Sequence, residues 1–96
     1  MKIKKSAQAG SLESCDVMVR IEPSQKERKI IIESDVIEQF EEQIQKVVES
    51  VLDKYDIDTI LIKIQDKGAL DFVITSRVET ALKRSSKCIK ETSYVK

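Results

Sequence analysis

The sequence predicts an α+β fold: a single small domain of order ββαββα, with an antiparallel sheet and two helices packed on one face. Three observations carry this expectation. The chain has 96 residues, 41% of them hydrophobic and 35% charged, with one proline and two glycines; that is one compact unit near the common domain size. Three short stretches alternate apolar and polar residues with the period of a strand, and a fourth is a β-branched run. Between Val36 and Tyr55 the apolar residues recur instead with the period of a helix.

Along the chain, residues 1–14 show no sustained period and read as a flexible N-terminal arm, with room for a short strand. From Cys15 to Ile21, the residues Cys15, Val17, Val19 and Ile21 alternate with Asp16, Met18 and Arg20, the pattern of a strand with one buried face. Pro23 to Arg28 is polar and proline-led, and the β-branched run Ile30-Ile31-Ile32 follows it. These two strands are expected to pair as an antiparallel hairpin. Ser34-Asp35, with Glu38 three residues on, offers a capping box for a helix start. Val36, Ile37, Phe40, Ile44, Val47, Val48, Val51, Leu52 and Tyr55 then mark an apolar face opposite Glu41, Glu42, Gln45, Lys46, Glu49 and Lys54. That is an amphipathic helix of about five turns.

Ile57 to Gln65 reads as a third strand. Asp66-Lys67-Gly68-Ala69 supplies a turn in which Gly68 takes a positive φ, and Leu70, Phe72 and Ile74 alternate after it, giving a second hairpin. Val78, Ala81, Leu82 and Ser85 describe a short final helix, with Lys83, Arg84 and Lys87 near its C-terminal end where cations suit the dipole. The domain is therefore expected over 15–88, with 89–96 a frayed tail.

Composition excludes several functions. Lys plus Arg and Asp plus Glu number 17 each, which argues against a basic nucleic-acid binder and against an acidic tail. There is no histidine, so Ser-His and Cys-His nucleophilic pairs and the common zinc sites are missing, and no metal is expected. Cys15 and Cys88 are too far apart in sequence for a redox pair and allow at most one disulfide. No apolar stretch of signal-peptide or membrane-spanning length follows Met1, which points to a reducing cytoplasm, free thiols and no membrane. Glu41-Glu42, and Asp56 with Asp58, read as solvated carboxylates before they read as acid-base pairs. Lys2, Lys4 and Lys5, with only two Phe and two Tyr to stack bases, read as solubilising residues before they read as an RNA-binding surface. Ser14 stands where the arm meets the first firm strand, flanked by Glu13 and Asp16; composition alone makes it a turn residue.

Ala9-Gly10-Ser11-Leu12-Glu13-Ser14, with Asp16-Val17-Met18 after Cys15, resembles the N-terminal motif of the acyl carrier proteins of citrate lyase, its gamma chains. Asp66-Lys67-Gly68-Ala69-Leu70-Asp71 resembles an internal stretch of that family, and Val36 to Phe40 resembles, less closely over Glu38-Gln39-Phe40, the segment opening its long helix. The likeness spans residues 1–88.

The resemblance implies that Ser14 carries covalently bound 2'-(5''-phosphoribosyl)-3'-dephospho-CoA, attached through a phosphodiester by a separate transferase. It implies that the thiol of this group holds the acetyl and citryl thioesters while citrate is cleaved to acetate and oxaloacetate. The alpha chain would exchange the acyl group and the beta chain would cleave it, so the carrier is no enzyme on its own. Glu13 and Asp16 would then either guide the transferase or simply keep the loop solvated. Lys67 and Gly68 present a similar choice between a docking tip and a turn, and turn chemistry favours the latter. The carrier subunit of malonate decarboxylase, which uses the same kind of group, is the nearest alternative; a small RNA-binding or regulatory α+β module is the alternative of another class.

Overall fold

The computed structural model describes residues 1–34 and 39–86. Four strands and two helices follow one another as β1 (Ala7–Gly10), β2 (Val17–Glu22), β3 (Lys29–Ser34), α1 (Gln39–Lys54), β4 (Leu61–Asp66) and α2 (Asp71–Ser86). The α+β class with one sheet and two helices stands, in the order βββαβα rather than ββαββα. Ser34 of the expected capping box ends β3, while Asp35 and Glu38, and Lys87, Cys88 and the expected tail 89–96, lie outside the described residues.

The sheet runs β1-β2-β4-β3 and is mixed: β1 with β2 and β2 with β4 are antiparallel, while β3 with β4 is parallel. The first expected hairpin therefore does not form, because β4 lies between β2 and β3. Its residues explain its central place. Ile62 and Ile64 are fully buried, and the register aligns Ile21, Ile62 and Ile30 in one row and Val19, Ile64 and Ile32 in the next. Each row sets branched side chains side by side across three strands, fully buried on β2 and β4 and half-buried on β3, which a two-stranded hairpin open on one side does not achieve. The parallel pairing needs a crossover, and α1 provides it.

The second expected hairpin is also replaced. Leu70 and Phe72 are 63% and 70% exposed, so their alternation with Ile74 marks no buried strand face. The amides of Val73 and Ile74 both donate to the Leu70 carbonyl, and Ile74, Val78, Ala81, Leu82 and Ser85 are buried at helical spacing. That apolar stripe extends α2 back to Asp71, whose carboxylate suits a helix N-terminus. Ile44, Val48, Val51 and Leu52 of α1 are buried as the helical period predicts, and close the core with α2 over the sheet. The C-terminus of α1 is a Schellman motif: Ile57 N–H donates to Leu52 O at 3.0 Å, Asp56 N–H donates to Asp53 O at 3.1 Å, and Asp56 has φ 55°.

The sheet begins before the domain boundary expected at residue 15. Strand β1 lies within the segment read as an arm, with Ala9 buried and Gln8 O accepting from Arg84 Nη1 at 2.8 Å. The amides of Lys4 and Lys5 both donate to Ser85 O, and the terminal ammonium donates to Tyr55 O. No helix among the described residues is long and apolar enough to cross a membrane.

Candidate modification site

Because β1 and β2 pair antiparallel, the loop 11–16 is anchored by strands at both ends. It opens on Gly10, whose φ of 95° is a conformation that side-chain-bearing residues rarely adopt. An ideal Cβ there would stand 1.8 Å from Val17 O, so the close approach of the two strands also requires glycine. Ser11 N–H then donates to Val17 O at 3.2 Å.

Glu13-Ser14-Cys15-Asp16 is a β-turn closed by Asp16 N–H donating to Glu13 O at 3.1 Å. The positive φ of its third residue, Cys15 at 67°, is the feature of a type II turn. Ser14 occupies the second position, is exposed, and makes no side-chain hydrogen bond among the described residues. Glu13 is also exposed, and Cys15 is an exposed free thiol. The turn thus brings the three residues singled out from the sequence, Glu13, Ser14 and Asp16, onto four consecutive positions, with the hydroxyl and the Glu13 carboxylate outward.

Asp16 faces the other way, its side chain only 16% exposed. Its Oδ2 accepts from Ser11 Oγ at 2.6 Å, its Oδ1 from Val17 N–H at 2.7 Å, and Arg77 of α2 donates to both oxygens, from Nε and Nη2, at 3.1 Å each. The Ser11 hydroxyl, the Val17 amide and the Arg77 guanidinium together hold its carboxyl at about 2. So weak a base, with both oxygens engaged, is a poor proton acceptor for Ser14.

The loop rests on the turn after β4. Cys15 N–H donates to Lys67 O at 2.8 Å, and Lys67 N–H donates to Asp16 O at 2.9 Å. That turn is itself fixed by the buried Asp66, whose carboxylate accepts from Ala69 N–H at 2.9 Å and Ser34 Oγ at 3.0 Å, and by Gly68 at φ 96°. The two motifs widely separated in the sequence therefore touch. Sequence reasoning missed Ser11 and Arg77; Arg77 is flanked by the buried Ile74 and Val78, but its partner lies 61 residues away.

The arrangement is an exposed hydroxyl on a fastened turn, with no histidine in the chain and no group of three or more metal-ligating residues among those described. Residues 4–85 match the family described as the malonate decarboxylase delta subunit (MdcD). The citrate lyase acyl carrier protein of Halothermothrix orenii is 41% identical over 95% of this chain and 97% of its own. The proteins of that name from Treponema denticola and Cronobacter sakazakii are 45% and 48% identical, over 90% and 88% of this chain and 98% and 88% of their own. Among solved structures, a chain of a Pseudomonas malonate decarboxylase hetero-tetramer in complex with malonate superposes with a TM-score of 0.76 at 26% identity, covering 86% of each chain. This chain belongs to the citrate lyase acyl carrier protein family and matches the family described as the malonate decarboxylase delta subunit.

Proposed function

We propose that this chain is the acyl carrier subunit of citrate lyase and that Ser14 bears phosphoribosyl-dephospho-CoA, joined through a phosphodiester by a separate transferase. The observation that carries this reading is the exposed Ser14 hydroxyl on the fastened Glu13–Asp16 turn of a chain in this family. The residues present fit such a group: Ser14 Oγ has no partner to give up among the described residues, and its side chain packs into no core, so a bulky substituent displaces nothing. When bound, the group supplies a thiol on a long arm, which is the acyl-carrying chemistry that the side chains lack.

The chain is a carrier and catalyses neither half of the reaction. Its contribution is positional. Ser14 fixes one end of the arm, and tethering raises the effective concentration at each enzyme site to the millimolar range. The partners are the alpha chain as acyl transferase, the beta chain as citryl lyase, and the transferase, all in the cytoplasm. Glu13, with its carboxylate outward, is placed to guide the transferase, while Asp16 serves recognition by shaping the turn.

The intact mass of protein incubated with transferase and donor tests this. Addition of the group to wild type and none to Ser14→Ala is expected; equal addition to both would sink the assignment. A second reading, carrier of malonate decarboxylase, is favoured by the family description and the superposed structure. Mixing the modified carrier with the alpha and beta chains separates the two: citrate cleavage is expected, and activity only with malonate decarboxylase subunits would reverse the choice.

A further inference from the structure

We propose that Arg77 is a positioning residue for modification of Ser14: acting through Asp16, it holds the Glu13–Asp16 turn in the shape in which Ser14 accepts its group. The inference rests on the carrier reading above.

Arg77 does not act alone on Asp16; it ends a chain of bonds that runs through the whole loop. Glu13 N–H donates to Ser11 Oγ at 3.2 Å, Ser11 Oγ–H donates to Asp16 Oδ2 at 2.6 Å, and Arg77 grips both Asp16 oxygens. The residue before Ser14, the residue that opens the loop and the residue that closes the turn are thereby fixed to one side chain of α2. That helix is a rigid base, since Ile74 and Val78 on either side of Arg77 are fully buried. The two-toothed geometry needs a planar guanidinium, which a lysine ammonium does not reproduce. Without it, the loop samples other shapes, and the transferase binds only the competent fraction. Apparent affinity falls by that fraction while turnover of the bound complex is unchanged.

The test follows labelling of the full chain by purified transferase and a phosphate-activated phosphoribosyl-dephospho-CoA donor. In that step the Ser14 Oγ–P bond forms as the donor's P–O bond to its leaving phosphate group breaks, and the hydroxyl proton passes to a base of the transferase. Labelling is read by intact mass, alongside thermal unfolding and amide hydrogen exchange. Arg77→Met is expected to raise KM for the carrier about tenfold with kcat unchanged, the split that a reduced competent population produces. Arg77→Lys falls between it and wild type. The Cys15 amide, bonded to Lys67 O, exchanges faster in Arg77→Met, while the β2 and β4 amides do not. A wild-type KM in Arg77→Met, or a loss confined to kcat, overturns the proposal. Should Arg77→Met fail to fold, Arg77→Lys and Ser11→Ala decide, and wild-type KM in both overturns it. Failure of the carrier reading looks different: wild type takes up no group, or Ser14→Ala takes it up equally.

Discussion

Replacing Gly10 by alanine is the most informative perturbation of the fold, because one methyl group tests both the strand pairing and the loop that presents Ser14. At φ 95° a residue with a side chain carries a backbone cost of about 1–2 kcal/mol. The added Cβ would also stand 1.8 Å from Val17 O, so β1 and β2 must part by about 1.5 Å to reach an ordinary carbon–oxygen distance. That movement breaks the Ser11 N–H bond to Val17 O, a net loss of about 0.5–1.5 kcal/mol. Together the two effects amount to about 1.5–3.5 kcal/mol. For a domain of this size each kcal/mol moves Tm by about 4–8 °C, so a drop of about 6–28 °C is expected by circular dichroism. Gln8→Ala, in the same strand but exposed, should stay within about 0.5 kcal/mol of wild type. A Gly10→Ala protein melting within about 5 °C of wild type would refute the reasoning, because neither the strain nor the clash would then exist.

Leu52→Ala empties a fully buried site between α1 and the sheet and should cost about 2–5 kcal/mol by urea unfolding; a loss below about 1 kcal/mol would mean that the site is not core. Asp66→Ala removes the acceptor of Ala69 N–H beneath the Lys67 turn and should cost about 1–3 kcal/mol, with a raised KM for labelling, since the Ser14 loop rests on that turn. Asp16 gives a pH signature. Its folded carboxyl at about 2 lies below the ordinary 3.8, so the unfolded chain binds more protons between those values. Its contribution to stability is complete above about 3.8 and is lost as pH falls through about 2. The difference in urea midpoint between wild type and Asp16→Asn should hold steady from pH 7 to 5 and shrink as pH falls toward 2; a constant difference throughout would contradict this. Ser14→Ala should leave stability within about 0.5 kcal/mol of wild type by urea unfolding while taking up no group, because the side chain is exposed and unpartnered among the described residues.

What was legible in the sequence follows from how local each signal is. Strand β2 and the buried stripe of α1 were readable because Val17, Val19 and Ile21 alternate over a few residues and Ile44, Val48, Val51 and Leu52 repeat within a few turns. Strand β1 was legible only as room for a short strand somewhere in residues 1–14, since only Ala9 of its four residues is buried and Ala-Gln-Ala-Gly carries no β-branched side chain. The pairing of β3 was misread because adjacency in sequence suggests a hairpin. The choice of central strand is instead made by Ile62 and Ile64, some thirty residues later. Leu70, Phe72 and Ile74 imitate a strand over five residues, and only the longer period through Ser85 reveals the helix. At the site, Glu13, Ser14 and Asp16 are neighbours in the chain and were readable as a motif. Arg77 was not, because the pairing of Asp16 with a cation 61 residues away exists only once α2 lies against the β1–β2 edge.

A serine that anchors a swinging arm faces two opposed demands: its hydroxyl must be open to a modifying enzyme, and its backbone must stay fixed while the arm moves. One residue cannot meet both with its own side chain, since any hydrogen bond that fixed Ser14 Oγ would occupy the atom to be modified. The loop divides the work among neighbours. Cys15 and Asp16 bind the Lys67 backbone, Ser11 and Arg77 bind the Asp16 carboxylate, and Ser14 makes no side-chain bond among the described residues. This division also accounts for the use of Asp16 rather than a neutral residue. Its ionised oxygens accept charge-assisted bonds from both Nε and Nη2 of Arg77, which a neutral side chain does not offer. The same ionised group would be a poor base for activating Ser14, and the chain has no histidine to replace it. The residues that fix the turn around Ser14 are thus the ones that leave its hydroxyl unactivated, so on the proposed reading the attachment chemistry comes from the transferase.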